Sequence, residues 1–192
     1  MYDPVNFDIV ALSSHIGDNR LMHLAFPTEL WESFNADIKA FLRTNNWSEL
    51  KYLDDNSDFD PMVANIPNTQ GGIYCFYINS EILPTFRHAV LCYVGRAHKP
   101  DANNLQKRIK EYRNYEQFPE EYERPKLRKL FGNWGKYIHC RYLPISNERI
   151  NGLYGDQLID AIEAELINKI IPPCNSKIPD INISNATARA FA

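Results

Sequence analysis

Apolar residues along the chain keep two rhythms, a three-to-four spacing in some stretches and continuous β-branched or aromatic runs in others. Leu30, Phe34, Ile38, Phe41 and Leu42 follow the first, which predicts an amphipathic helix over 29–43 with Thr28 as its cap and Glu29 and Glu32 in its first turn. A weaker helical run is read over 47–53, and 54–70, acidic and then proline-bearing, reads as a loop and the chain's linker. Residues 72–78 and 89–94 are strands, joined through a connection that holds Pro84, and Gly95 ends the second. Side chains alternate faces along a strand, so a pairing of Tyr74 with Tyr93 and of Cys75 with Cys92 puts both tyrosines on one face. Asp101 is expected to cap a helix reaching Tyr115, with Leu105, Ile109 and Tyr112 turned inward. The segment 116–136 is rich in Glu, Pro, Lys and Arg, with a short helix at 124–130 and a turn at Gly132-Asn133-Trp134-Gly135. A third strand over 136–143, a turn at Asn151-Gly152 and a helix over 154–171, stopped by Pro172-Pro173, follow. Residues 1–25 read as irregular or a short strand, and the tail beyond Asn175 as small and polar.

Composition narrows this picture. The 192 residues are 44% hydrophobic and 23% charged, ordinary for a soluble domain with a core, and no apolar run is long enough to span a bilayer. Met1-Tyr2-Asp3-Pro4 carries no basic run, so no signal peptide and a cytoplasmic location are expected. The cysteines stand singly at 75, 92, 140 and 174, without a C-x-x-C pair, which argues against a zinc ribbon and for buried free thiols. The net charge of −3 hides an asymmetry: residues 87–141 hold 13 Lys and Arg against 6 Asp and Glu, whereas 1–86 hold 4 against 12. Positive charge gathered in one segment attracts a phosphate backbone even in an acidic protein, although a solvated helix face reads equally.

The candidate chemistry follows that charge. Hydrolysis of a phosphodiester needs an activated water, a cation, a clamp on the non-bridging oxygens and help for the leaving oxygen. Arg108 can present a guanidinium fork, and Tyr112, four residues on, shares its helix face. Arg96 follows Gly95, a residue that lets backbone approach a ligand, and joins Lys107, Lys110 and Arg113 as contacts for nucleic acid. Glu163 lies within the apolar periodicity of the last helix; a carboxylate there is costly unless paired or bound to a metal, and one carboxylate with waters suits Mg²⁺. The same residues have plain readings: Tyr74 and Tyr93 as core aromatics, Arg108 as a solvated charge, and Glu163 not separated by periodicity from Glu165. Of the histidines, His98 is nearest the hairpin, and residues 15, 23, 88 and 139 form no ligand spacing.

Gly72-Ile73-Tyr74 and Tyr93-Val94-Gly95 resemble the two signature tripeptides of the GIY-YIG nuclease family. The likeness continues in order through Leu105-Gln106-Lys107-Arg108-Ile109 with Tyr112, and through Glu163-Ala164-Glu165-Leu166-Ile167 with Pro172 and Asn175. The resemblance implies an α+β fold, a small three-stranded antiparallel sheet flanked by helices, over 67–180. Residues 1–66 would then be a partly helical N-terminal extension, 113–136 an insertion and 181–192 a tail. It implies a DNA endonuclease dependent on Mg²⁺ or Mn²⁺. In that reading Tyr74 and Tyr93 flank the attacking water, Arg108 clamps the scissile phosphate and Glu163, rather than Glu165, holds the metal. Asn175 orders the site, and Tyr112 meets the phosphate or leaving group. A compact chain without a visible second domain fits a restriction or phage-defence enzyme, and a homodimer is expected if both strands of a palindrome are cut. The alternative is a non-catalytic nucleic-acid-binding or interaction module on the same scaffold.

Overall fold

The computed structural model describes residues 28–79, 89–98, 103–117 and 124–175; the readings of 1–25, of the connection through Pro84, of the Asp101 cap and of the tail lie outside them. The helix expected over 29–43 is two helices, α1 (Thr28–Glu32) and α2 (Ala36–Thr44). Asn35 divides them because its side-chain oxygen accepts from the Asp37 and Ile38 N–H groups, capping α2 instead of continuing α1.

The sheet has four antiparallel strands among the described residues, not three, in the order β1-β4-β2-β3. The additional strand, β1 (Ser48–Lys51), falls in the run read as weak helix. Its Ser-Glu-Leu-Lys sequence has no strand preference of its own; pairing decides the outcome, with Ser48 opposite Tyr142, Lys51 opposite His139 and Leu50 buried. The centre of the sheet is β2 (Gly71–Asn79), flanked by β3 (Ala89–Ala97) and β4 (Ile138–Ile145). In β2 and β3, Tyr74 lies opposite Gly95 and Phe76 opposite Tyr93, with a register shift between Phe76 and Tyr77. The expected Tyr74–Tyr93 pairing is therefore displaced by two positions. An even displacement preserves the face, and the two rings stay on the same side.

α3 (Leu105–Glu111) is capped by Asn104, whose side chain accepts from the Lys107 N–H, and it stops at Tyr112 before the short α4 (Asn114–Gln117). The expected continuous helix to Tyr115 is thus interrupted. α5 (Pro125–Trp134), with proline in its first turn, runs through Gly132 and Asn133, where the sequence suggests a turn. A small hairpin of β5 (Arg149–Ile150) and β6 (Leu153–Tyr154) turns through Asn151 and Gly152, both at positive φ. α6 (Gly155–Ile170) ends at Ile171, which takes a left-handed conformation and releases the chain into Pro172.

Two helical layers sandwich the sheet. On one face Tyr74, Phe76, Tyr93 and Tyr142 pack with Leu105, Ile109 and Tyr112 of the α3 segment and Leu127, Leu130 and Phe131 of α5. On the other, Ile73, Cys75, Val94 and Leu143 pack with Leu158, Ile159, Ile162 and Leu166 of α6 and with Ile38 of α2. Burial on both faces explains why β2 reads as an unbroken apolar run rather than an alternating one. All four cysteines are buried free thiols. Among the described residues no helix is long and apolar enough to cross a membrane.

Candidate functional site

β3 forms one edge of the sheet, and a cleft of about 780 Å³ gathers residues from both faces at that edge. Tyr74, Tyr93 and Arg108 reach it from the α3 side, Arg96 and Glu163 from the α6 side, and Asn175 from the segment after α6. Residues far apart in the chain thus share one wall.

The tyrosines form a chain of hydroxyls. Tyr74 and Tyr112 are 2.9 Å apart, oxygen to oxygen, and the Tyr112 O–H donates to Tyr93 at 3.0 Å. Since Tyr112 spends its proton on Tyr93, Tyr74 donates to Tyr112, and the Tyr93 proton remains for the cleft. Tyr74 is fully buried, and burial, followed by repulsion from Tyr93, holds its phenol far above the ordinary value against the pull of Arg108. Burial does the same to Tyr112, with Tyr74 and Tyr93 adding to it. Gly95 is required by this arrangement. A methyl group there would stand 2.5 Å from Tyr74 Cζ and 2.6 Å from its hydroxyl. Gly72 is required by its backbone, with φ near 155° and the Leu143 carbonyl where a side chain would go.

Charge is paired across the cleft. Arg108 bonds Glu111 one helical turn on. Arg96 bonds Glu163 through Nη1 and Asp160 through Nε at 3.0 Å, and Asp160 also meets His98 Nε2 at 2.5 Å. Desolvation raises the Glu163 carboxyl above its ordinary range; Arg96 pulls it back, and Asp160 pushes it up again. The ion pair and the raised carboxyl point in opposite directions, and burial prevails because only 16% of the Glu163 side chain meets solvent. Glu165, not separable from Glu163 by periodicity, faces elsewhere: its Oε1 accepts the Asn35 N–H at 2.6 Å and holds the start of α2.

Asn175 acts on backbone. Its side-chain oxygen accepts the Val94 N–H at 3.0 Å and its amide donates to the Val94 carbonyl at 2.8 Å, while the Cys174 N–H bonds the Cys92 carbonyl. The segment after α6 therefore straps the open edge of β3 and satisfies groups that an edge strand would leave bare.

Tyr112 lies one layer behind the cleft, against Tyr74 and Tyr93. Lys107, Lys110 and Arg113 do not line it; the Arg113 guanidinium sits over the Phe59 ring and reaches Asp58. The cleft adds residues that motif reasoning did not single out, Arg124 and Lys126 in its lining and Asp160 as the partner of its Arg96 and His98. Asp160 carries the one sequence signal, being one helical turn before Glu163. No three-residue group of His, Cys, Asp or Glu able to hold a metal occurs among the described residues. No protein-family model matches the chain, and no curated protein or solved structure matches it.

Proposed function

We propose that the chain is a GIY-YIG-type endonuclease that hydrolyses DNA phosphodiester bonds with Mg²⁺ or Mn²⁺. The observation that carries this reading is the convergence of Tyr74, Tyr93, Arg108 and Glu163 on one cleft at the β3 edge. These are the groups that the chemistry requires.

Arg108 is the clamp. Its fork opens to the cleft beside the tyrosine hydroxyls, where it holds non-bridging phosphate oxygens and the negative charge that grows on them. The Tyr93 hydroxyl, whose oxygen receives a hydrogen bond from Tyr112 and whose own proton is left for the cleft, orients the attacking water. Tyr74 fixes the far end of the hydroxyl chain and so the direction of the Tyr93 proton. Asn175 and Gly95 keep β3 and the two rings in register. Glu163 fits a metal of the single-carboxylate, water-rich kind: its carboxyl is desolvated, lines an open cleft and has Arg96 as its one hydrogen-bond partner among the described residues. When bound there, the ion supplies a positive charge beside the phosphate and lowers the pKa of a coordinated water.

One observation favours the non-catalytic module instead, namely that the Arg96 guanidinium already neutralises Glu163. Incubating the chain with supercoiled plasmid, a duplex oligonucleotide and a single-stranded RNA, in Mg²⁺ and in EDTA, separates the readings. Nicking or linearisation in Mg²⁺ alone is expected. DNA binding without cleavage in either condition would establish the module, and cleavage of RNA alone would exclude a DNA enzyme.

A further inference from the structure

Beyond Arg108 the cleft continues into a second groove of about 390 Å³, lined by Arg108, Glu111, Tyr112, Asn114, Tyr115 and Arg124. Arg108 and Arg124 line both spaces, so the two adjoin at this pair of residues. We propose that Arg124 and Asn114 bind a second phosphate of the DNA strand, adjoining the one held by Arg108 for hydrolysis. The inference deepens the endonuclease reading and rests on it.

The argument begins with which charges are already answered. Arg108 has Glu111, and their pairing cancels the only carboxylate among the described residues of the groove. The Arg124 side chain forms no hydrogen bond or ion pair with any described residue, and neither does the Asn114 amide. Arg124 is exposed and Asn114 half-buried, so water answers their donors in the free chain, and phosphate oxygens, which accept from a guanidinium fork, can take its place. The groove is shaped for phosphate rather than for a base. Its aromatic rings, Tyr112 and Tyr115, are buried and stack on each other and on Phe131, so no free aromatic face is offered for base stacking. The first turn of α5, which follows Arg124 without a side-chain cap, adds the positive end of a helix dipole to the neighbouring cleft rather than to this groove. A strand that lies across Arg108 and Arg124 then passes from the Glu163 side of the site to the Tyr115 side. Phosphate contacts of this kind fix register without reading sequence.

The test measures salt dependence. The full chain is titrated against two labelled DNA duplexes of unrelated sequence by fluorescence anisotropy, in EDTA, over a series of KCl concentrations. Removing one phosphate-binding cation lowers the steepness of log K against log salt by about 0.9 on duplex DNA. Arg124→Gln is expected to lower the slope by about that amount on both sequences, with an unchanged melting temperature, since its side chain has no partner among the described residues. Lys129→Gln, an exposed change on α5 away from both spaces, should leave the slope at its parent value. A parent slope retained by Arg124→Gln overturns the inference while leaving the endonuclease reading intact. A decrease confined to one of the two sequences overturns it in favour of a base contact. Absence of salt-dependent binding by the parent chain defeats both the inference and the reading beneath it.

Discussion

Replacing Gly95 by alanine tests whether the tyrosine hydroxyls depend on a missing side chain. The added methyl would lie 2.5 Å from Tyr74 Cζ, 2.6 Å from its hydroxyl and 2.7 Å from Cε2. Ordinary carbon contacts need about 3.5–4.0 Å, so the ring must retreat by roughly 1 Å. It has little space to do so, since Tyr74 is fully buried and its ring packs against Phe76, Tyr93 and Tyr112 at centroid distances of 5.8, 6.4 and 5.8 Å. Overpacking of this kind costs about 1–3 kcal/mol, and a broken Tyr74–Tyr112 hydrogen bond costs about 1 more. In a chain of this size the sum corresponds to a fall in Tm on the order of 5–10 °C. Displacing the hydroxyl chain by about 1 Å is expected to slow cleavage on the order of 10²-fold. Thermal melts and single-turnover cleavage of a plasmid in Mg²⁺ read the two effects. A variant whose Tm stays within about 1 °C of the parent and whose cleavage stays within about threefold would refute the close-approach argument.

Tyr74→Phe removes one donor from the hydroxyl chain; we expect a stability loss of about 1 kcal/mol, cleavage largely lost and DNA affinity retained. Near-normal turnover in that variant would remove Tyr74 from the mechanism. Glu163→Gln should abolish metal-dependent cleavage while raising the melting temperature near neutral pH. The sign follows from a raised carboxyl: below its unfolded value of about 4.3 both states hold the proton. As pH rises past it the unfolded chain ionises more readily, so the parent loses stability that the glutamine variant keeps. The gap should close as pH falls toward that value, and a parent more stable than the variant at pH 7 would mean that the Arg96 pair outweighs desolvation. Asn175→Ala leaves the Val94 N–H and carbonyl without partners and is expected to cost on the order of 1–3 kcal/mol in chemical denaturation.

Sequence pattern was sufficient where burial alone fixes the element. α6 shows its Leu158, Ile159, Ile162 and Leu166 stripe, and β2 and β3 show aromatic and β-branched runs buried on both faces. It failed where a distant partner decides. Ser48 to Lys51 becomes a strand because β4 offers a free edge, which is a property of residues nearly a hundred positions away. The helix over 29–43 breaks at Asn35 because Glu165 of α6 takes the Asn35 N–H as its side chain caps α2. The register of Tyr74 and Tyr93 was hidden by the irregularity at Phe76 and Tyr77. In the candidate site, tyrosines and arginine were legible as residue types at helical and strand spacing. Arg113 was not, because its charge reads the same from sequence whether it meets solvent or lies over Phe59. Arg124 was hidden for the opposite reason: one basic residue in a charged segment carries no periodicity to mark it as facing a cleft.

The strap laid by Cys174 and Asn175 along β3 also sets a timetable. Val94 and Asn175 are 81 residues apart, and Arg96 is 67 residues from Glu163. At about 5–20 residues per second, the ribosome extrudes the tyrosine hairpin roughly 4–16 s before the segment that seals its edge. During that interval the nascent chain carries its hydroxyls and its guanidinium clamp but not Glu163, and β3 presents unpaired backbone groups. On the endonuclease reading, the site is therefore incomplete until α6 docks and the segment that follows it closes the strand.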